Sequence, residues 1–470
     1  MAIETEVLVV GAGPGGYVAA IKLGKLGKKT LLVDKDKLGG ECLNYGCIPS
    51  KALIHSAGLY SKMQKAGSFG LETGNLKLHW NKVQDWKASM VAGFNRGIAA
   101  LAKGNNVSIM NGTATLTGPH RAEIETGSGK ESVSFQHALI VTGTRPAALP
   151  GFAFDGKNVL SSKEALELPE PPKRLVVIGG GVIGLEIGTF YAKLGAKVSV
   201  VEFMPQVLPG LEADLLTPVL RNLQKLGVEV LTQSKAKSYS ASNGGLAVAV
   251  ETPSGERKIE ADKILVSVGR APVTKELGLQ AAGVETDAKG HITVNERYQS
   301  SASHIYAAGD VIGPPYLAHK ASREGILAAL DICRFSGEDR GPIPWAVFTD
   351  PEIAFVGQNE AEAKAAGHEI LVGRFPFSAS GRAQAVREPE GFVKVIARRD
   401  NHRILGVGMV GPNASDLIGE ASLAVRLEAT VEDVAATIHP HPTLNEAFQE
   451  AAEACIGQAI HILAPAARSA

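Results

Sequence analysis

The chain has 470 residues, with 48 basic and 48 acidic side chains, so its formal charge is zero. That balance, with no long block of one sign, excludes nucleic acid or a charged membrane surface as an implied partner. No apolar run reaches the roughly 18 residues that a membrane span needs. Length predicts about three domains, and 45% hydrophobic residues are ample for their cores. The N-terminus enters a strand directly, with no basic stretch or cleavage site ahead of it, which predicts a cytoplasmic protein.

A buried strand over 6–10 runs into Gly11-Ala12-Gly13-Pro14-Gly15-Gly16. A helix over 17–26 follows, then a strand over 30–33 ended by Asp34. This is a dinucleotide-binding pattern. Gly11 makes the turn, Gly13 lets a pyrophosphate approach the backbone, and Gly16 permits close helix–sheet packing. The helix N-terminus faces the phosphates, and Asp34 stands where a carboxylate accepts from a ribose hydroxyl.

Next comes Gly39-Gly40-Glu41-Cys42-Leu43-Asn44-Tyr45-Gly46-Cys47-Ile48-Pro49-Ser50-Lys51. The chain has four cysteines, and only Cys42 and Cys47 are close together, the others being Cys333 and Cys455. A metal half-site needs two further ligands, and no second cysteine pair or Cys/His cluster supplies them. A structural disulfide is disfavoured where thiol pools are reducing. A redox dithiol beside a nucleotide fold is the favoured reading, with Cys333 and Cys455 as inert thiols.

The glycine pattern recurs. A strand over 175–178 precedes Gly179-Gly180-Gly181-Val182-Ile183-Gly184, a helix runs to Leu194, and a strand over 197–201 ends at Glu202. Gly179, Gly181 and Gly184 take the three glycine roles. One such loop is weak support; two with correct flanks and a terminal acid are strong. Residues 124–146 also align without gaps on 250–272. Each segment has a Ser-Gly turn (Ser128-Gly129, Ser254-Gly255) and then a buried strand ending at Gly143 or Gly269. The first copy carries extra chain between its loop and its hairpin, and both close-spaced cysteines fall there. The chain reads as two related nucleotide domains with a dithiol inserted in the first.

At the second site Glu202 would bond a free ribose hydroxyl and repel a 2′-phosphate. Phe203-Met204-Pro205 offers no basic side chain for that phosphate, so NAD is expected; a solvated strand-end acid is the alternative. Further on, Pro342-Ile343-Pro344 marks a linker, with strands over 374–410 and helix over 416–428 beyond it. Thr443 and Glu446 form a capping-box pattern opening a helix over 447–460. The tail 464–470 reads as frayed.

These motifs together resemble the flavin-dependent pyridine nucleotide-disulfide reductases, over essentially the whole chain. The carriers are the two glycine loops, the 39–51 run, Thr142-Gly143, Ala308-Gly309-Asp310, Leu317-Ala318-His319-Lys320 and the run from His439 to Glu446. The resemblance implies an α/β architecture of the glutathione-reductase kind: two Rossmann-like dinucleotide-binding domains plus a C-terminal α+β dimerisation domain. The implied segments are 1–146 (FAD, dithiol), 147–270 (NAD), 271–340 (completing the FAD site) and 341–470 (interface).

Within the family the resemblance is to its dihydrolipoamide-oxidising branch. It implies FAD bound at Gly11, Gly13, Gly16 and Asp34, with the Gly112 and Ala114 backbones at the adenine end. Thr142 and Gly143 adjoin it, Asp310 binds the ribityl or pyrophosphate region, and Ala318 lies under the flavin ring. Asp310 has a turn-capping role as its bland alternative. Lys51 and Glu186 would form an ion pair beside the flavin, Glu186 otherwise serving the helix dipole. NAD would meet Gly179, Gly181, Gly184, Glu202 and Gly269. Cys42 would exchange with substrate and Cys47 would face the flavin. His441, oriented by Glu446, would act as base on the partner subunit's dithiol, making a homodimer a catalytic requirement. His439 is expected only to shape its loop. Two departures stand out. Glu41 places a negative charge beside the interchange thiol, where the family usually has Thr, and Tyr45 adds bulk between the cysteines. Implied partners are lipoyl groups on acyltransferase cores of 2-oxo acid dehydrogenase or glycine cleavage complexes. NADPH-linked glutathione-type or mercuric reductases, a flavin transhydrogenase without a dithiol, and a noncatalytic subunit of the assembly are the rivals.

Overall fold

A computed structural model describes residues 3–242, 244–335 and 339–463. The 464–470 tail expected to fray lies outside them. The chain divides into two units. The first comprises Met1–Pro172, Ser238–Leu246 and Asp262–Arg340; the second comprises Lys173–Lys237, Ala247–Ala261 and Gly341–Ala470.

The first unit is organised by the opening apolar strand, β1 (Ile3–Val10), which is followed by α1 (Pro14–Lys25) and β2 (Thr30–Asp34). Three helices then intervene: α2 (Gly40–Tyr45), α3 (Cys47–Gln64) and α4 (Trp80–Gly104). They carry the inserted dithiol. After them come β3 (Val107–Asn111), β4 (Thr113–Gly118), β5 (Arg121–Thr126), β6 (Gly129–Ile140) and β7 (Thr144–Pro146). The sheet runs in the order β3–β2–β1–β6–β5–β4, and the late strand Ile305–Ala307 pairs with β6. β1 is parallel to both β2 and β6. Being central and covered on both sides, it is apolar and buried from Val7 to Val10. Leu8 and Val10 pack in one cluster with Leu31, Val33 and Ile140. Val7 and Val9 face the other way, onto Ala19, Ala20 and Leu23 of α1 and Ala328 and Ala329 of the helix Ala318–Ile332.

The second unit contains parallel strands Arg174–Ile178, Lys197–Val201 and Glu229–Leu231, with Lys197–Val201 in the middle and helix Val182–Lys193 as the crossover. Its later part is a five-stranded antiparallel sheet in the order Trp345–Val347, Glu352–Gly357, Ile404–Gly411, Phe392–Arg398, Ile370–Pro376. Helices Ala414–Arg426 and Glu446–Cys455 pack on it through Ile418, Ala421, Phe448 and Ala451. The C-terminal helix stops at Cys455 rather than reaching 460, because Gly457 takes φ +72° just past its end. Among the described residues, no helix is long and apolar enough to cross a membrane.

Candidate active site

In the first nucleotide loop each glycine answers a different steric demand. Gly11 has φ +104°, and a Cβ there would lie 2.5 Å from the Val141 carbonyl oxygen. At Gly16 a Cβ would fall 1.8 Å from the Gly11 oxygen, whereas at Gly13 it would meet nothing within 4 Å. The open glycine is the N-cap of α1, and no side chain caps it. This is the cradle a pyrophosphate requires: backbone without side chains at the positive end of a helix. Asp34 flanks it. Its Oδ2 accepts from the Ala12 amide at 2.5 Å and its Oδ1 from the Asp36 amide at 2.8 Å. The Asp34 carbonyl accepts from the Gly112 amide at 2.9 Å, which brings Gly112 and the start of β4, with Ala114, to the same edge.

The dithiol segment is stitched to this loop. The Gly39 amide donates to the Ala12 carbonyl at 2.8 Å, and a Cβ on Gly40 would come within 2.6 Å of Gly13 Cα. Buried Asn44 closes the turn, donating to the Leu38 and Gly40 carbonyls at 2.9 and 2.8 Å while accepting from Asn95. Cys42 thereby sits in α2 and Cys47 opens α3, where a helix favours negative charge. The Cys42 thiol is hydrogen-bonded to Cys47. That bond, burial and the charge of Cys47 push its pKa up, with Lys51 opposing.

The two departures resolve differently from expectation. Glu41 does not stand as a bare charge beside Cys42: both its oxygens are bound by the Arg270 guanidinium. The Tyr45 ring has Lys163 Nζ 4.0 Å and Lys37 Nζ 5.5 Å from its centroid, and its hydroxyl donates to Asp36 at 3.2 Å. Burial and Asp36 push the phenol up to about 12.

Later segments complete this unit. The Thr142 hydroxyl donates to the Val273 carbonyl at 2.7 Å, and Gly143 takes φ +68° and accepts from the Val273 amide at 3.0 Å. Asp310 accepts from the Thr144 hydroxyl at 2.9 Å. Burial raises the Asp310 pKa, while the Thr144 bond and the Arg270 and Lys320 charges work against the rise. Ala318 is the first residue of its helix. That helix crosses α1 at Gly15, where a Cβ on Gly325 would come 2.4 Å from the Gly15 oxygen. Sequence reading missed Thr144 and Arg270. The only local signal was the aligned Thr-Arg-Pro and Arg-Ala-Pro ends of the repeated segments.

In the second unit, Gly179 has φ +103° and Gly181 is an uncapped helix N-cap with open space at its Cβ position. Gly184 lies buried in the first turn. Buried Glu202 accepts from the Gly180 amide at 2.6 Å and from the Met204 amide at 2.7 Å, and Phe203 and Met204 are exposed beside it. Glu186 is buried and accepts from the Phe348 amide at 2.9 Å. Gly269 belongs to the first unit, has φ +132° and accepts from the Ala147 amide.

His441 and Glu446 are together: Nδ1 and Oε1 are 2.7 Å apart. The other Glu446 oxygen accepts from the Thr443 amide at 2.7 Å, so one carboxylate serves both the imidazole and the loop. Only half of the expected capping box forms. The N-cap is Asn445, and the buried Thr443 hydroxyl oxygen has no hydrogen-bond partner among the described residues. Burial works to raise the Glu446 pKa, but the Thr443 amide and His441 outweigh it and hold the carboxyl below its usual range. His441 is 78% exposed, while His439 is enclosed and tied to the Thr437 carbonyl and Glu420.

Two nucleotide cradles, a stitched dithiol and a carboxylate-held histidine define a pyridine nucleotide-linked disulfide reductase. Residues 5–325 match the family profile of the pyridine nucleotide-disulphide oxidoreductases, and residues 343–452 match the dimerisation domain of the same family. The chain belongs to this family, whose members use FAD and NAD. Among curated relatives, the dihydrolipoyl dehydrogenases of Haloferax volcanii and Geobacillus stearothermophilus are each 45% identical, with 98% of both chains covered. The crystal structure of LpdA from Mycobacterium tuberculosis superposes with a TM-score of 0.89 at 29% identity, covering 96% of this chain and 99% of that one.

Proposed function

We propose that this protein is a dihydrolipoyl dehydrogenase: it oxidises dihydrolipoamide and reduces NAD. The observation that carries the reading is the joining of the Cys42–Cys47 segment to the first glycine loop, through the Gly39 amide and the Gly40–Gly13 approach. That join sets the dithiol beside a nucleotide cradle. FAD fits there, held by Gly11, Gly13, Gly16, Asp34, Gly112, Ala114, Thr142, Gly143, Asp310 and Ala318. It supplies two-electron redox chemistry between dithiol and nicotinamide. NAD fits at Gly179, Gly181, Gly184 and Glu202.

In the substrate half-reaction a dihydrolipoamide thiolate attacks Cys42 of the oxidised pair, breaking the Cys42–Cys47 bond and forming a mixed disulfide. The second substrate thiol then displaces Cys42, leaving lipoamide and the enzyme dithiol. His441 of a second copy takes the thiol protons, and Glu446 orients its ring by the Nδ1 contact. The exposure of His441 supports such use in trans. Lys51 is the cation on the flavin side of the dithiol in this reading. The domain division follows 1–146, 147–270, 271–340 and 341–470. The protein is a cytoplasmic homodimer whose substrate is the lipoyl group of an acyltransferase core.

The test is steady-state NADH formation from dihydrolipoamide by the purified holoenzyme, with NADP in parallel. Rapid NAD-only turnover supports the reading. A bound flavin that NADH reduces, without dihydrolipoamide turnover, moves the substrate elsewhere.

A further inference from the structure

Arg270 makes four hydrogen bonds, all on one side of the first unit. Its two terminal nitrogens grip the two Glu41 oxygens. Its Nε donates to the Thr144 hydroxyl oxygen at 2.6 Å, and one terminal nitrogen also reaches the Thr144 carbonyl at 3.0 Å. The Thr144 hydroxyl in turn donates to Asp310 Oδ2 at 2.9 Å. The proton order in this chain follows from its two ends. Arginine can only donate, so the threonine oxygen accepts from it, and with Asp310 ionised the threonine hydrogen points at the carboxylate. A carboxylate on the dithiol helix, a cation on the strand Arg270–Pro272, a hydroxyl on β7 and a second carboxylate at the flavin site thus form one polarised line. The Arg270 and Glu41 side chains retain only 14% and 32% exposure, so their charges are weakly screened.

We propose that Glu41, Arg270 and Thr144 are positioning residues that hold Asp310 in place and ionised for flavin binding, with Glu41 balancing the Arg270 charge from the dithiol helix. The inference rests on the reading that FAD occupies this site. It accounts for a glutamate beside the interchange thiol: the carboxylate serves Arg270, and α2 is anchored to the Asp310 edge at the same time. An arginine is required because a lysine cannot supply a planar two-oxygen grip and a third donor at once.

The charged and titratable groups facing Asp310 are Thr144-linked Arg270, Glu41 on α2, Lys320 on the Ala318–Ile332 helix, and Tyr316 in the loop before it. His291 stands behind Tyr316 at 2.9 Å from its hydroxyl. Lys320 is already committed to the Gly309 and Gly313 carbonyls and to Glu324. Removing the Thr144 hydroxyl takes away a bond that favours ionised Asp310, so its protonation, and with it FAD release, moves to higher pH.

The experiment titrates FAD release from holoenzyme by flavin fluorescence as pH falls, and measures FAD affinity of the reconstituted apoprotein at neutral pH. Thr144→Val is expected to weaken FAD binding roughly tenfold, the scale of a lost bond to a charged group. It should also shift the release midpoint upward, and Thr144→Ser should restore both. Arg270→Gln leaves Glu41 beside Asp310 without its counter-charge and is expected to weaken FAD at least as much. Glu41→Gln alone, which keeps the Arg270 bonds to Thr144, should weaken FAD less than Arg270→Gln does, and Glu41→Gln with Arg270→Gln should regain affinity over Arg270→Gln. An unshifted midpoint in Thr144→Val, or a double variant no better than Arg270→Gln, overturns the clamp. Wild-type apoprotein that fails to take up FAD instead overturns the cofactor reading beneath it.

Discussion

Asp34 and Glu202 close their respective nucleotide loops with the same pair of bonds. One oxygen of each accepts from the amide following the first loop glycine, Ala12 at 2.5 Å and Gly180 at 2.6 Å. The other accepts from the amide two residues on, Asp36 at 2.8 Å and Met204 at 2.7 Å. The duplication reaches the turns as well. Thr126 and Thr252 each donate 2.8 Å to the carbonyl of the residue three on, Gly129 or Gly255. Each carboxylate keeps lone pairs for a ribose hydroxyl.

In the proposed NAD site this geometry would let Glu202 set cofactor choice. A 2′-phosphate would meet a buried carboxylate with Phe203 and Met204, not a base, beside it. Glu202→Ser combined with Met204→Arg is expected to raise kcat/KM for NADP over NAD by roughly tenfold or more, since it removes repulsion and adds a donor. Parallel kinetics with both nucleotides check it. An unchanged ratio means that Glu202 does not read the ribose.

The loop glycines divide by what surrounds them. Gly16→Ala puts a Cβ 1.8 Å from a backbone oxygen and is expected to prevent folding of the first unit. Gly13→Ala meets no protein atom within 4 Å, so the apoprotein should keep its thermal stability while losing FAD. Thermal unfolding of the apoproteins separates the two; equal damage from both would contradict the assignment of Gly13 to the phosphate side.

His441→Gln is expected to lower dihydrolipoamide turnover by about 10²–10⁴-fold, the usual worth of a positioned proton acceptor. Reduction of the enzyme by NADH should persist. Stopped-flow measurement of that half-reaction tests it, and its loss would place His441 in structure rather than in chemistry.

Asp310 carries a pH signature in the apoprotein. Burial leads the causes that raise its folded pKa above the ordinary 3.8. Between that value and the raised one, the native state binds the proton more tightly than the unfolded chain does. Stability therefore falls as pH rises through this window. Asp310→Asn lacks that decline, so denaturant titrations should show the variant gaining on wild type from about pH 3.8 upward, while binding FAD more weakly. A constant difference across pH would refute the burial argument.

Motifs whose parts are close in sequence were legible in it: both glycine loops, their terminal acids, the Ser-Gly turns and the dithiol run. The Glu446 contact with His441 was implied by the family resemblance, and the structure has the pair 2.7 Å apart. The capping box was only half right, since Glu446 lies within the helix start and Thr443 gives it an amide rather than taking one. The Glu41 partner was beyond reach. Arg270 lies 229 residues away, and no periodicity or spacing rule joins such a pair. Charge alone placed a negative group beside the interchange thiol; tertiary pairing determines what that charge does.

The crossing of α1 by the Ala318–Ile332 helix also bears on how the polypeptide is made. The Ser322 hydroxyl meets the Pro14 carbonyl at 3.3 Å across 308 residues, and Ile305–Ala307 joins β6 at the sheet centre. During synthesis the chain exposes every strand of the second nucleotide fold before the first can close. The opening βαβ segment therefore waits on the ribosome with one face uncovered, a long-range closure of the slow kind. Truncations ending before residue 305 are the ones for which chaperone dependence should be greatest.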